Sequence, residues 1–372
     1  MPPSPRVLPE ADTPLDEGKP ATPGQQLTPD ASTPRGGVSP KRSGAISALA
    51  ILLAILILVG FGALSVAFGS RAVSVSDILV GVFGDPETVA QAAVAKRVPR
   101  TFLAALVGAA LALAGLGMQA VTRNPLADPG IFGVSSGASL AVVLGIVFIG
   151  TDNPHWQMVL AVIGAGVTAV FVYAIGSLGP GGASPLKLAL SGAATAAALA
   201  SLISIVLLPR VDALQSYQFW QIGGVGGATW EKVAALAPIA AIAGVAALVL
   251  SRSMNALALG DDVASGLGEN VGRSRILISL VAVVLAGTAT AVAGPIGFVG
   301  LIVPHFCRLI SGPDYRILVP FSAVVGAGLL VGADVLGRVI ARPQEVQVGI
   351  ITALIGAPFF VWVVRRQKVR EL

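Results

Sequence analysis

Cysteine and histidine are nearly absent from this 372-residue chain: Cys307 stands alone, and His155 and His305 lie far apart. One thiol cannot close a disulfide within the chain or build a cysteine-based zinc site, and two distant imidazoles suggest no metal cluster. Charge is scarce too, at 12% of residues, about half the share of a soluble domain, which argues against one large water-soluble core. No GxxxxGK[ST] phosphate loop is present, since the only Gly-Lys pair is Gly18-Lys19, followed by Pro20. A chain without that loop has no cradle of this kind for nucleotide phosphates. The nucleophile–base sets and metal-ligand clusters of an integral-membrane enzyme are also missing. Charged residues avoid the middle of every apolar run, where ion-coupled carriers usually hold them. The nearest are Asp334 and Arg338, four apart and able to pair, toward the outer end of the ninth run.

What is abundant is apolar: 55% of residues are hydrophobic and the mean hydropathy is +0.85. Over this length, that composition implies many membrane spans. A span needs roughly 20 residues, and apolar runs occur at 45–69, 99–121, 132–150, 157–178, 186–208, 232–250, 275–293, 297–311, 317–341 and 347–364. The expected architecture is therefore an all-α integral membrane protein of about ten helices. The eighth run is short and contains Pro304, so it needs shielding by neighbouring helices. Residues 1–43 differ in kind. They hold ten of the 25 prolines and no apolar periodicity, the composition of a disordered tail. The domains expected are this tail and a transmembrane domain over 44–372.

If the tail is cytoplasmic, sixteen Lys and Arg fall on its side of the membrane and eight on the other, which places both termini in the cytoplasm. The net charge of +5 sits mostly in these loops. No basic patch is interleaved with aromatics, so nucleic acid is not an expected partner. Many of the 45 glycines lie inside runs, among them Gly108, Gly115, Gly326 and Gly328. Small residues there let helices pack closely, or form a lining that slides between states.

The stretch 121–143, VTRNPLADPGIFGVSSGASLAVV, breaks two apolar runs with Arg123, Asn124 and Asp128. Asn124-Pro125 and Asp128-Pro129 each read as a helix start, giving one tight turn at the membrane surface and a new helix from about Ile131. The Gly and Ser residues that follow give that helix a small, weakly polar face. Residues 251–274 are too polar to span. There Met254, Leu257, Ala264 and Leu267 make one apolar stripe, with Asp261, Asp262 and Glu269 wet, and Gly266 to Gly268 breaks the segment into two short helices.

Three long stretches resemble one family. GLGMQAVTRNPLADPGIFGVSSGAS at 115–139, ALGDDVASGLGENVGRSR at 258–275, and the region from GPIGFVGLIVPHFCRLISGPDYR through ADVLGRVIARPQEVQVGIITALIGAPFFVWVVRR at 294–366 are similar to the iron-siderophore, heme and cobalamin permeases, the membrane subunits of type II ABC importers. The resemblance covers roughly residues 45–366. It implies ten spans, with spans 2–5 and 7–10 as inverted repeats, in the cytoplasmic membrane of a bacterium. It further implies three protein partners: a separate ATPase, a substrate-binding protein, and a second permease, either itself or a paralog. No cofactor is expected. The closing motif looks most like the ferric-siderophore members; heme or cobalamin import by the same mechanism, or an ion-coupled carrier, are the alternatives.

Roles follow by motif position. Arg97 and Arg100 of KRVPR, and Arg338 of DVLGRVIARP, correspond to arginines that meet acidic residues of the binding protein, unless they serve lipid headgroups. Lys96 and Arg342 are weaker candidates. In the segment matching the coupling helices, Leu257, Gly260, Ala264, Gly266, Leu267 and Gly268 are the expected ATPase contacts. Asn124 and Leu126, with Ala183 and Ser184 of GGASPLK, are the expected inner gate, although Ala183 departs from the family's usual pair of hydroxyls. Tyr217, Phe219 and Trp220 are expected near the outer end of the path, or as interfacial aromatics.

Overall fold

The computed structural model describes residues 40–368 except 131–132, 151–152, 179–184, 211–213, 215–216 and 219. Up to residue 39, the expected tail lies outside the described residues. Among those residues every regular element is helical. The elements are α1 (Pro40–Ala67), α2 (Val75–Phe83), α3 (Val89–Thr122), α4 (Val134–Leu144, continued by a π-helical turn at Gly145–Ile149), α5 (Pro154–Gly176), α6 (Pro185–Leu207), α7 (Trp230–Val249), α8 (Ser251–Ala258), α9 (Asp261–Gly266), α10 (Val271–Ala293), α11 (Val299–Ser311), α12 (Tyr315–Ile340) and α13 (Val348–Lys368). Seven are long and apolar enough to cross a membrane, and α4 with its π turn, α11 and α13 are shorter apolar helices. Together they occupy the ten runs expected from the sequence. Helix α2, a short helix held by a capping box of Ser74 and Asp77, was not anticipated.

Burial separates the helices into two sets. Two thirds of the apolar windows of α3 and α10 are buried, against 6% for α1. Helix α3 is the axis, packed on α10, α11 and α12. Its 34 residues rise about 51 Å, well beyond the roughly 30 Å of hydrocarbon. The ten residues preceding the expected run therefore project outward, and the basic motif at 96–100 straddles the start of that run.

The packing repeats under exchange of α3, α4, α5 and α6 for α10, α11, α12 and α13. Helix α3 packs on α12 as α10 packs on α5; α4 packs on α5 as α11 packs on α12; α3 meets α11 as α10 meets α4. Gly117 of α3 lies against Ile278 and Ala282 of α10, so the C-terminal part of one sits beside the N-terminal part of the other. The two sets run in opposite senses, which is an inverted repeat.

Close approach at glycines sets the depth of these helices. A Cβ on Gly108 would collide with the backbone of Gly326, and one on Gly115 with the backbone of Gly300. Gly115 lies seven residues, about 10 Å, from the end of α3. Gly300 is therefore deep in the bundle, although α10 runs eleven residues past its contact at Ala282. The chain from Gly294 to Phe298 must turn back inward, which leaves α11 only 13 residues. Near the start of α4, Gly137 meets Gly164 and Thr168 of α5 in a similarly close contact. The residue before each short helix has left-handed backbone, Gly133 (φ 69°) and Phe298 (φ 70°). Pro304 is buried, as its helix requires.

The expected helix starts at Pro125 and Pro129 are not formed. Asn124 Oδ1 accepts the amide of Leu126 at 2.9 Å, and Asp128 Oδ1 accepts that of Gly130 at 2.8 Å. Each carboxamide or carboxylate closes a local turn two residues on instead of capping a helix. The next helix begins at Val134, with no side-chain cap.

Gly108→Ala should destabilise the protein by about 1–3 kcal/mol, the usual cost of overpacking. Gly60→Ala, where nothing lies within 4 Å of the added carbon, should be near neutral. Unfolding of the two variants in detergent, compared with the parent, checks this.

Candidate functional site

Two faces carry the polar residues. On the inner one, so named for its surplus of Lys and Arg, α8 and α9 form the surface segment expected from the sequence. The break between them falls at Gly260, whose φ of 104° suits glycine, and not at Gly266 to Gly268 as expected. Gly266 ends α9, and Gly268 (φ 82°) leads out of it. The expected apolar stripe is split. Met254, Leu257 and Ala264 are turned into the bundle at 1% exposure or less, whereas Leu267 is 67% exposed. Leu257 is thus an anchor and not a surface contact, because an eight-residue amphipathic helix lying on the bundle must bury its apolar face. Leu259 and Val263, eight and four positions before Leu267, are exposed as well.

This segment is fastened to three long helices. Asp261 Oδ1 accepts from Arg275 of α10 at 2.9 Å and faces Arg123 at 3.7 Å. Arg123 ends α3 with left-handed backbone (φ 52°) and immediately precedes Asn124 and Leu126. Asn255 of α8 donates to Asp314 at 2.7 Å and accepts the amide of Tyr315 at 3.0 Å, both at the start of α12. Glu269 accepts from Ser274, which holds its carboxyl below the ordinary range. Of the expected gate, Asn124 and Leu126 are half-buried at the connector; Ala183 and Ser184 lie outside the described residues.

On the outer face, the three expected docking arginines are drawn into one network. The last carbonyls of α1 have no partner within their own helix. Arg97 donates to Val66 O and Ala67 O, each at 3.0 Å, and to Arg71 O at 2.9 Å. Arg338 donates to Ser65 O at 3.0 Å, Phe68 O at 3.3 Å and Ser65 Oγ at 2.6 Å, and its Nε lies 3.1 Å from Asp334 Oδ2. Both are interior, at 6% and 1% exposure, so the rim position expected for them does not hold in this structure: capping α1 claims their donors. Arg100 is at the edge. It grips Asp334 with Nε and Nη2, the shortest contact being 2.7 Å, and reaches Glu345 with Nη1 at 2.7 Å. Lys96 and Arg342 are exposed.

Asp334 is buried while Glu345 is 37% exposed in its side chain. Burial pushes the Glu345 carboxyl up, but bonding and attraction from Arg100, with a bond from Ser70, outweigh it and hold the group below its ordinary range. This contribution is present through the neutral range and is lost only as pH falls through the lowered value. Sequence reasoning saw the Asp334–Arg338 pair but missed the role of Glu345, which a lone carboxylate among arginines in RPQEV could have signalled. It also missed Asp261, Arg275 and Asn255 as fastenings.

Between the faces, Ser135, Ser136 and Ser139 of α4 line a pocket of about 240 Å³ with Ala200, Ile203, Tyr217, Gln221 and Pro295. The weakly polar face expected for α4 thus meets the outer aromatic segment. Tyr217 packs against Trp220 with ring centres 5.7 Å apart and planes tilted by 33°; Phe219 lies outside the described residues. Among the described residues no group of three His, Cys, Asp or Glu could hold a metal ion.

Residues 52–366 match the FecCD transport family. The chain is 43% identical over 331 residues to the Fe(3+)-citrate import system permease protein YfmD of Bacillus subtilis, covering 88% of this chain and 97% of that protein. It is 40% identical over 333 residues to the ferric enterobactin transport system permease protein FepD of Escherichia coli K12, covering 89% and 98%. Among solved structures, an inward-facing conformation described as of a metal-chelate type ABC transporter superposes with a TM-score of 0.73 at 28% identity, covering 86% of this chain and 99% of that one.

Asp334→Ala should cost about 3–5 kcal/mol, because it leaves a buried guanidinium unpaired. Glu345→Ala, at an exposed pair, should cost about 0–1 kcal/mol. Thermal unfolding of the two purified variants measures the difference.

Proposed function

This chain belongs to the FecCD transport family, and we propose that it carries a ferric siderophore complex across the cytoplasmic membrane of a bacterium as the permease of an ABC importer. Relatives named for ferric citrate and ferric enterobactin align with it over nearly its whole length, which supports the substrate class. The observation that carries the mechanism is the α8–α9 segment. It leaves Leu259, Val263 and Leu267 exposed on the inner face while tied to the end of α3 and the starts of α10 and α12. An exposed apolar cluster so fastened suits a partner that pushes, and the chain has no phosphate loop of its own.

A separate ATPase docks on that cluster. Nucleotide-driven closure shifts α9, and Asp261 passes the shift to Arg123 and so to the Asn124–Leu126 connector, the inner gate. Gly260, Gly266 and Gly268 let the segment bend around its buried anchors Leu257 and Ala264. On the outer face a substrate-binding protein meets Arg100 and the exposed Lys96 and Arg342, with Arg97 and Arg338 holding the surface in shape. A second permease, a copy or a paralog, completes the path, with Tyr217 and Trp220 near its outer opening. Both termini lie in the cytoplasm, as the distribution of Lys and Arg supports.

Leu267→Asp should preserve the fold and weaken ATPase binding roughly tenfold or more, as loss of a central interface anchor does. Leu257→Asp should instead lower the folded yield. Co-purification of the ATPase and uptake into proteoliposomes measure both. Uptake by liposomes carrying this chain without any ATPase would overturn the importer reading.

A further inference from the structure

The guanidinium of Arg100 serves two carboxylates of unlike standing. Its Nε and Nη2 are committed to Asp334, which is 2% exposed and shared with Arg338. Its Nη1 is held by Glu345, which sits on the connector after α12 and is partly open to water. The other oxygen of Glu345 accepts from Ser70 Oγ at 3.0 Å. One edge of the arginine is thus fixed, and the other is occupied by a group that water can replace.

The surroundings are short of negative charge. Arg97, Arg100 and Arg338 are within electrostatic reach of Glu345, Arg100 and Arg338 also of Asp334, and Arg342 is within reach of Arg97. Arginines outnumber carboxylates here, and Arg97 donates to the carbonyls of Val66, Ala67 and Arg71. Such a surface attracts a further carboxylate, and complementary rim charge steers docking. The Arg100 edge that such a group would reach is already filled.

We propose that Glu345 is an internal stand-in for an acidic side chain of the substrate-binding protein, and that docking exchanges one carboxylate for the other on Arg100 Nη1. This rests on the docking role given to Arg100 above. The exchange frees a connector that is tied inward. Val346 N donates to Gly337 O at 2.9 Å, and Gly349 N donates to Gly223 O at 3.0 Å. The Gln347 side chain lies where a Cβ on Gly224 would be. The 222–224 stretch follows Gln221 and carries the backbone bond from Gly224 N to Ala293 O at 2.7 Å. Release of Glu345 therefore reaches the rim of the serine-lined pocket without any movement of Asp334.

The test is the dissociation constant of the substrate-binding protein for the assembled transporter in nanodiscs. Glu345→Gln should tighten binding about three- to fivefold, the size of an exposed ion pair, because the incoming carboxylate no longer competes. Arg100→Lys keeps a charge for Asp334 but cannot span both carboxylates. It should weaken binding, and in that background Glu345→Gln should have no effect. If Glu345 only braces Arg100, Glu345→Gln weakens binding or leaves it unchanged, and the exchange is overturned while the docking role stands. If neither Arg100→Lys nor Arg100→Gln alters binding, the docking role itself fails.

Discussion

The contact of α3 with α11 and α12 through paired glycines is the constraint on which the rest depends. Backbones meet at Gly108–Gly326 and Gly115–Gly300 with no room for a side chain. Lipid offers no hydrophobic drive to bring helices together, so such close approach supplies the dispersion contact that does. It also fixes depth. With Gly300 held at the level of Gly115, the connector before α11 has to fold back into the bundle, and the helix itself can only be short. Gly133, just before α4, and Gly137 within it meet Thr168 and Gly164 of α5 in a comparable way. The short length of α4 and α11 is a consequence of packing, not of weak apolar character.

The 294–298 connector and the described residues of the one before α4 carry irregular backbone against the bundle, where unsatisfied amides and carbonyls are costly. The structure answers with local closures. Asn124 and Asp128 accept amides two residues on, and Gln119 donates to Gly300 O at 3.2 Å while accepting from Arg308. At the far end of α1 the same need is met by charge: Arg97 and Arg338 cap its carbonyls. Charged side chains at both ends of the bundle thus do structural duty first. What remains at the surface, Glu345 at the edge of Arg100 on the outer face and Leu259, Val263 and Leu267 on the inner one, is what partners can use.

The two faces are joined by rigid elements. Helix α3 runs from the Arg97–Arg100 motif to Arg123, and α12 runs from Asp314 and Tyr315 to Asp334 and Arg338. A displacement imposed at Asp261 or Asn255 acts on the inner ends of the helices whose outer ends carry the arginine network. That arrangement suits a permease whose motion comes from an attached ATPase.

The sequence by itself determined the ten apolar runs, the short eighth span, the missing phosphate loop and the polar segment at 251–274, because hydropathy and motif chemistry act locally along the chain. The pairing of Asp334 with Arg338 was legible for the same reason, being one helical turn apart. Direction was not legible. Whether Leu257 or Leu259 faces outward depends on how α8 lies against α3, α10 and α12. Whether Arg338 looks to solvent depends on where α1 ends, 270 positions away in sequence at Phe68. The Arg100–Glu345 bond joins residues 245 apart, and no local pattern encodes it. A membrane helix declares its length in its composition, but only tertiary packing decides which unsatisfied carbonyl claims a given arginine and which charge is left over for a partner.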